Sequence, residues 1–198
     1  MTRLLLLRHA AHDLAGRALA GRMEGLGLNA QGLQQAGGLA QALQRHGINA
    51  IYSSPQLRTC QTAQPIAARL GMHVVLAPEF DEIDFGEWTG KSFEELRGQG
   101  AAWELWVRRR SEASPPGGEP FAAVQRRAAA GVERLRRRHP GETVLVVSHA
   151  DVIKTVLASH LRMSLDDLEQ FEIGCGSLNV VEVGDGWSQV KLVNGTLL

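Results

Sequence analysis

The sequence predicts an α/β fold: a three-layer α/β/α sandwich whose central sheet is mostly parallel. Three observations carry that prediction. Two short apolar runs, Leu4 to Leu7 and Val144 to Val147, have the length and continuity of strands buried on both faces. Between and around them, strand-like and helix-like segments alternate, the pattern of successive βαβ units. The composition, 44% hydrophobic and 21% charged over 198 residues with 22 Gly and 7 Pro, is that of a globular chain and excludes disorder or a collagen-like fibre. The length fits one domain, read as 1–198 with about five or six strands.

The elements follow in order. Leu4 to Leu7 is the first strand. Leu33, Ala36, Leu39, Ala40 and Leu43 recur at helical spacing and predict a helix from about Ala30 to Arg45, stopped by Gly47. Ile48 to Tyr52 is a short strand. Ser53-Ser54-Pro55 then offers a Ser cap and a Pro at a helix start, before a helix carrying Leu57, Ala63, Ile66, Ala67 and Leu70. Met72 to Leu76 is another strand. Glu82 to Gly118 mixes glycines, tryptophans and charges without one period, so it reads as a mostly helical insertion closed by Pro115-Pro116-Gly117-Gly118, with a small cap at about 87–118. Phe121, Val124, Ala128, Val132 and Leu135 make one helical stripe between Glu119 and Arg138. After the strand Val144 to Val147, Ala150 to Leu161 is helical, and Cys175 to Glu182 with Ser188 to Val193 forms a terminal hairpin around Asp185-Gly186.

Charge narrows the function classes. Lys and Arg number 21 and Asp and Glu number 21, so there is no global pull toward nucleic acid or an anionic membrane, and anion binding must come from a local cluster. Two cysteines, Cys60 and Cys175, make neither a disulfide framework nor a four-ligand zinc module, and a reducing cytoplasm is the expected setting. The leucine run at the N-terminus ends at Arg8 after four residues, short of the roughly seven of a secretory apolar region. No stretch reads as membrane-spanning.

In a parallel sheet, ligands sit beyond the carboxyl ends of the strands. Both apolar runs end there in chemistry-bearing residues, Arg8-His9 and Ser148-His149, so two histidines distant in sequence converge on one crevice. A guanidinium fork binds anionic oxygens, and a neutral imidazole is a nucleophile. Ser148-His149 also opens a helix, whose first amides favour an anion, and Arg58 lies at the start of another helix near a strand end. Each residue alone reads as a salt bridge, a cap or a solvated side chain; together they point to an anion pocket.

These residues lie in motifs that resemble the histidine phosphatase superfamily, the phosphoglycerate mutase-like proteins. The motifs are Leu7-Arg8-His9, Leu28-Asn29-Ala30-Gln31-Gly32, Ser53-Ser54-Pro55-Gln56-Leu57-Arg58-Thr59, Glu82-Ile83-Asp84-Phe85-Gly86-Glu87-Trp88-Thr89-Gly90, Pro115-Pro116-Gly117-Gly118-Glu119 and Val147-Ser148-His149. Each is weak alone, but six in the family's order span nearly the whole chain. The resemblance implies a phosphoglycerate mutase-like fold with His9 as phosphoryl acceptor and Glu82 as acid and base. Arg8, Arg58, His149 and the Ala150 amide would hold the phosphate oxygens, with no cofactor and no metal. Asp81, Asp84 and Glu87 are rivals of Glu82, which matches the family's spacing. Gly86 and Gly90 are expected to let the backbone turn near the pocket, and Trp88 to pack rather than to stack on substrate.

The sequence departs from the family where Ala10, Ala11, His12 and Ala15 stand at positions often occupied by Gly, Glu, Thr and a phosphate-contacting Asn. His12 is therefore a candidate for substrate contact. His9, His12 and Asp13 also admit a metal reading, which the positive charge of Arg8 and Arg58 disfavours. Arg108-Arg109-Arg110 reads first as a solvated face and second as a reach toward a distal anion on the substrate. Arg136-Arg137-Arg138 complements a helix C-terminus, and neither triplet, lacking interleaved aromatics, indicates nucleic-acid binding. His46, His73, His139 and His160 read as structural.

The functional expectation is a phosphatase acting on a small phosphorylated metabolite. A phosphoglycerate mutase-type phosphotransferase is the alternative, and a non-catalytic phospho-ligand binding protein a further one. The small cap favours water as the final acceptor. The Gly37-Gly38 helix and the terminal hairpin edge are two surfaces on which a homodimer could form.

Overall fold

The computed structural model describes residues 1–197. Its strands are β1 (Thr2–Arg8), β2 (Ile48–Ser53), β3 (Val74–Leu76), β4 (Thr143–Ser148), β5 (Leu178–Val183) and β6 (Ser188–Gly195). They form one six-stranded sheet in the order β3-β2-β4-β1-β5-β6. The first four are parallel to their neighbours, and β5 and β6 extend the sheet antiparallel. The helices are α1 (Ala30–Ala42), α2 (Leu57–Leu70), α3 (Phe93–Arg97), α4 (Ala101–Arg108), α5 (Phe121–Arg138) and α6 (Ala150–Leu161).

Strand alternation divides the four leucines of β1 between two cores. Leu5 and Leu7 pack with Leu39, Leu43, Ala63 and Ile66 of the α1 and α2 side. Leu4 and Leu6 pack with Phe121, Val124, Val132, Val156 and Leu157 of the α5 and α6 side. All four leucines are at most 1% exposed, each contributing about 1.5–3 kcal/mol of apolar burial. The continuous apolar run is thus the signature of a strand covered on both faces.

Several boundaries differ from the sequence reading, each for a local reason. The first helix tightens into a 3-10 turn at Leu43–Arg45 before Gly47. α2 starts at Leu57 with Gln56 as its cap residue and no side-chain cap; the Ser54 hydroxyl, two residues earlier, accepts from the Gln56 amide at 3.4 Å and otherwise engages Asp81 and His149. β3 begins only at Val74, since Gly71 (φ +66°) ends α2 and the Met72 amide donates back to the Ala67 carbonyl. The hairpin's first strand begins at Leu178: Gly176 (φ +72°) makes a turn whose amide donates to the Arg8 and His9 carbonyls. That turn ties down the strand end carrying Arg8 and His9.

The segment after Glu82 carries a 3-10 turn, Gly86–Trp88, then α3 and α4. Trp88 is wholly buried and meets Trp103 and Trp106 edge-on, at centroid distances of 5.5 and 5.7 Å. Gly86 has φ +51°, and a Cβ there would lie 2.2 Å from the Pro116 carbonyl oxygen. The Pro-Pro-Gly-Gly loop therefore packs on the Glu82 segment through backbone alone. A further 3-10 segment at Leu165–Gln170 has no counterpart in the sequence reading.

Candidate active site

Three neighbouring parallel strands end at one level. Arg8 is in register with Ser148, and Ser53 with Val147. The His9 amide donates to the Ser148 carbonyl (2.9 Å) and the Ser54 amide to the Val147 carbonyl (2.9 Å), so Ser54, His149 and His9 leave the sheet side by side. The His9 and His149 rings are 5.3 Å apart, and the His12 ring is 5.0 Å from His9.

The loop after β1 is held from beneath. Thr62 accepts from the Ala10 amide (3.0 Å), Gln35 from the Ala11 amide (3.1 Å), and the Ala11 carbonyl accepts from the Asn29 amide (3.2 Å). Asn29 caps α1 by accepting from the Gly32 amide at 2.9 Å. The Leu28 to Gly32 motif thus supports the loop that follows His9.

His9 is buried, and its Nδ1 lies 2.8 Å from the Ala10 carbonyl oxygen. A carbonyl only accepts, so Nδ1 carries the proton and Nε2 keeps its lone pair. Burial, then the charges of Arg8 and Arg58, holds the ring's pKa well below the ordinary value, and the imidazole is neutral. His149 is likewise held down by burial first, then by Arg58. Its Nδ1 accepts from Arg58 Nη2 (3.2 Å), and its Nε2 meets the Ser54 hydroxyl (2.8 Å), which reaches Asp81 at 3.0 Å. Burial, with Arg58 and Arg8, pulls His12 to about 4.

The arginines leave donors free. Arg58 is wholly buried, with Nη2 donating to the Gly21 carbonyl (2.7 Å), while its Nε and Nη1 have no partner. Arg8 spends Nη1 on the Ile173 carbonyl (2.6 Å) and leaves Nε buried and unpaired. Unsatisfied buried donors are costly and rare. Three of them beside two neutral imidazoles form a place where an anion with several oxygens gains hydrogen bonds and a cation loses energy. Ala150 opens α6 at the same level, and first-turn amides have no partner within a helix.

Glu82 faces this group, 8% exposed. Burial first, then the neighbouring charge of Asp151, raises its carboxyl to about 7, against the opposing pull of Arg58. Its Oε1 accepts from the Ile83 amide at 3.0 Å. A cavity of about 230 Å³ is lined by Arg8, His9, His12, Arg58, Glu82, Ala150 and Asp151, with Ala15, Leu19, Phe85 and Phe93 farther out.

All the sequence-predicted site residues, His9, Glu82, Arg8, Arg58, His149, Ala150 and His12, meet in this one region. The rivals of Glu82 do not line the cavity: Asp81 accepts from Ser54 and Gln56, and Asp84 from the Gly86 amide. Arg108, Arg109 and Arg110 are also outside it; Arg109 pairs with Glu112 and Arg110 with Glu169. Arg136 and Arg137 pair with Glu133 at the end of α5.

The sequence reading missed Ser54, Asp151, Arg22 and Arg127. Arg127 donates to the carbonyls of Glu79 (2.9 Å), Asp81 (2.6 Å) and Glu82 (3.1 Å) and to the Glu119 carboxylate. Arg22 donates to the same Glu82 carbonyl (2.8 Å) and to Glu119 (3.0 Å). The sequence reading singles out neither arginine; in the structure both bind Glu119 of the Pro-Pro-Gly-Gly-Glu motif.

A mostly parallel α/β sheet with paired histidines and arginines at its strand ends defines a class of folds with an anion pocket at the sheet edge, and sequence comparison gives the family. The profile of the Histidine phosphatase superfamily (branch 1) matches residues 4–196, and the chain belongs to that family. Bifunctional protein Rv2228c of Mycobacterium tuberculosis is 38% identical over 197 residues, covering 98% of this chain and 54% of that protein. The chain thus spans about half the length of the first mycobacterial relatives it matches. Phosphoserine phosphatase 1 of Hydrogenobacter thermophilus is 32% identical over 99% of this chain and 93% of that protein. The solved structure of Bacillus stearothermophilus YhfR superposes with a TM-score of 0.92 at 30% identity, covering 99% and 98% of the two chains. Among the described residues, no helix is long and apolar enough to cross a membrane.

Proposed function

We propose that this chain is a phosphomonoesterase that hydrolyses a small phosphorylated metabolite through a phosphohistidine on His9. The observation that carries the reading is that Arg8 and Arg58, which keep three buried, unpaired donors (Arg8 Nε and Arg58 Nε and Nη1), line one cavity with a neutral His9 whose Nε2 is free. Phosphoryl transfer needs chiefly positioning and positive charge around three oxygens.

In the first step, His9 Nε2 gives its lone pair to phosphorus as the ester P–O bond breaks, and the departing oxygen takes the proton of Glu82. Arg8, Arg58, His149 and the Ala150 amide hold the non-bridging oxygens. For His149 to donate from Nδ1 to a phosphate oxygen, Arg58 Nη2 moves from Nδ1 to the phosphate and Ser54 turns its hydroxyl proton from Asp81 to Nε2. In the second step Glu82, now a carboxylate, takes a proton from water. The water oxygen bonds to phosphorus, and the P–N electrons return to His9. His12, neutral and beside His9, contacts substrate, and the segment at about 87–118 caps the site.

Phosphatase rather than mutase is favoured because, among the described residues, the cavity is lined by no cation beyond Arg8 and Arg58, so a second anionic group on a reorienting substrate finds no partner there. The test is phosphate release from a panel of phosphomonoesters in EDTA, comparing wild type with His9→Ala, together with acid-quench trapping of labelled protein. Metal-independent release and labelling, both lost in His9→Ala, are expected. Transfer to a second hydroxyl with primer stimulation would replace this reading with the mutase; ligand binding without release or labelling would replace it with a binding protein.

A further inference from the structure

Apart from Arg8, Arg58 and the histidines, the cavity lining has an unusual charge pattern. Its wall is apolar, built from Ala15, Ala18, Leu19, Ala20, Phe85 and Phe93. The one formal charge it carries besides Glu82 is Asp151, in the first turn of α6. Among the described residues, the Asp151 side chain has neither a hydrogen-bond nor an ion-pair partner, whereas Asp81, Asp84 and Glu119 all do. Arg17 and Lys91, close in sequence to this wall, contribute nothing to the lining. His12 is held neutral there.

We propose that this wall is the leaving-group subsite and that Asp151 makes it selective for short phosphate monoesters bearing an ammonium group and no second anion, as in amino-alcohol phosphates. The inference rests on the phosphatase reading above, with the phosphate seated on Arg8 and Arg58. An unpartnered carboxylate in a partly desolvated cavity attracts a substrate ammonium and repels a substrate carboxylate, and the apolar wall accommodates a short carbon stem between the two charged ends. Size agrees. At about 230 Å³ the cavity lies below the roughly 300–1,000 Å³ that takes drug-sized ligands, so a nucleotide does not fit within it.

The experiment uses three two-carbon substrates that differ only at the far end: O-phosphoethanolamine, ethyl phosphate and phosphoglycolate. Values of kcat/KM are compared in the wild type and in Asp151→Asn, with p-nitrophenyl phosphate as a fourth substrate. For the wild type the order phosphoethanolamine, ethyl phosphate, phosphoglycolate is expected, each step about tenfold, the size of one charge contact in a partly screened site. Asp151→Asn should compress the phosphoethanolamine to phosphoglycolate ratio to within about threefold. The ratio is read within one protein, so partial misfolding of the variant cancels. Equal rates on the two charged substrates, a preference for phosphoglycolate, or a ratio unmoved by Asp151→Asn would overturn the subsite while leaving the phosphatase reading intact. No turnover of any of the four would overturn both.

Discussion

Glu82 Oε2 lies 3.6 Å from Nδ1 of His149, yet the two do not form an ion pair. Burial raises the carboxyl to about 7 and holds the imidazole well below its ordinary value, so below neutrality both partners are uncharged. The pair is a site with one movable proton, on the carboxyl, beside two guanidinium groups.

That relationship sets the pH dependence of stability. Glu82 binds its proton more tightly folded than unfolded, so its contribution is fully present below 4.5 and is lost as pH rises toward about 7. The span, at about 1.4 kcal/mol per unit, is on the order of 3 kcal/mol. The buried histidines act oppositely: their folded pKa values are depressed, and their contribution is lost as pH falls below 6.5. The difference between Glu82→Gln and wild type isolates the carboxyl. Denaturant titrations at pH 5 and pH 8 should show Glu82→Gln gaining stability relative to wild type at the higher pH. A difference independent of pH would mean that Glu82 is not buried as a neutral acid.

The same proton predicts a dependence on the leaving group. Glu82→Gln should lower kcat/KM on an alkyl phosphate by about 10²- to 10⁴-fold, the usual worth of general acid catalysis. On p-nitrophenyl phosphate, whose phenolate leaves without a proton, the loss should be far smaller. Equal losses on both would assign Glu82 to binding rather than to proton transfer.

The layers and most of the site were legible in sequence because burial on both faces writes itself as unbroken apolar runs, and strand ends in parallel sheets are where ligands sit. Arg8-His9 and Ser148-His149 followed from that logic. Glu82 did not: Asp81, Asp84 and Glu87 share its composition, and only the family spacing picked it out before the fold turned its side chain inward and theirs away. Ser54 read as a helix cap because serine before a helix usually is one, but a competing partner, His149, comes from a strand far along the chain. Arg127 lies on the polar side of the apolar stripe of α5, where periodicity shows no difference between a solvated arginine and one holding three carbonyls.

Two glycines five residues apart on α1 should respond oppositely to alanine. At Gly32 a Cβ would sit 2.0 Å from the Ala11 carbonyl oxygen, so Gly32→Ala must displace the loop that follows His9. At Gly37 the space is open. Gly37→Ala should stabilise by about 0.4–1 kcal/mol through helix propensity and unfolded-chain entropy. Gly32→Ala should destabilise by about 1–3 kcal/mol and lower activity as well. Melting curves and phosphate release on both variants check this; a stabilised, fully active Gly32→Ala would show that the close approach of α1 to the loop is dispensable.

Arg127 should behave as a positioning residue for Glu82. Its guanidinium receives no substrate atom; it fixes the carbonyls of Glu79, Asp81 and Glu82, and Glu119 locks its orientation. Arg22 shares the Glu82 carbonyl, so the loop keeps one tether when Arg127 is lost. Small displacement of an acid from its leaving group is costly to rate. Arg127→Ala should therefore lower kcat/KM on alkyl phosphates by about 10- to 100-fold, and should cost much less in kcat/KM on p-nitrophenyl phosphate, whose leaving group needs no proton. Arg127→Lys, which keeps the charge but loses the fork that spans carbonyls and carboxylate together, should recover only part of the rate. Steady-state kinetics on both substrates decides: a fall in rate equal on both, tracking a loss of folded protein, would make Arg127 a stability residue and leave the Glu82 loop positioned by Arg22 and the glycines alone.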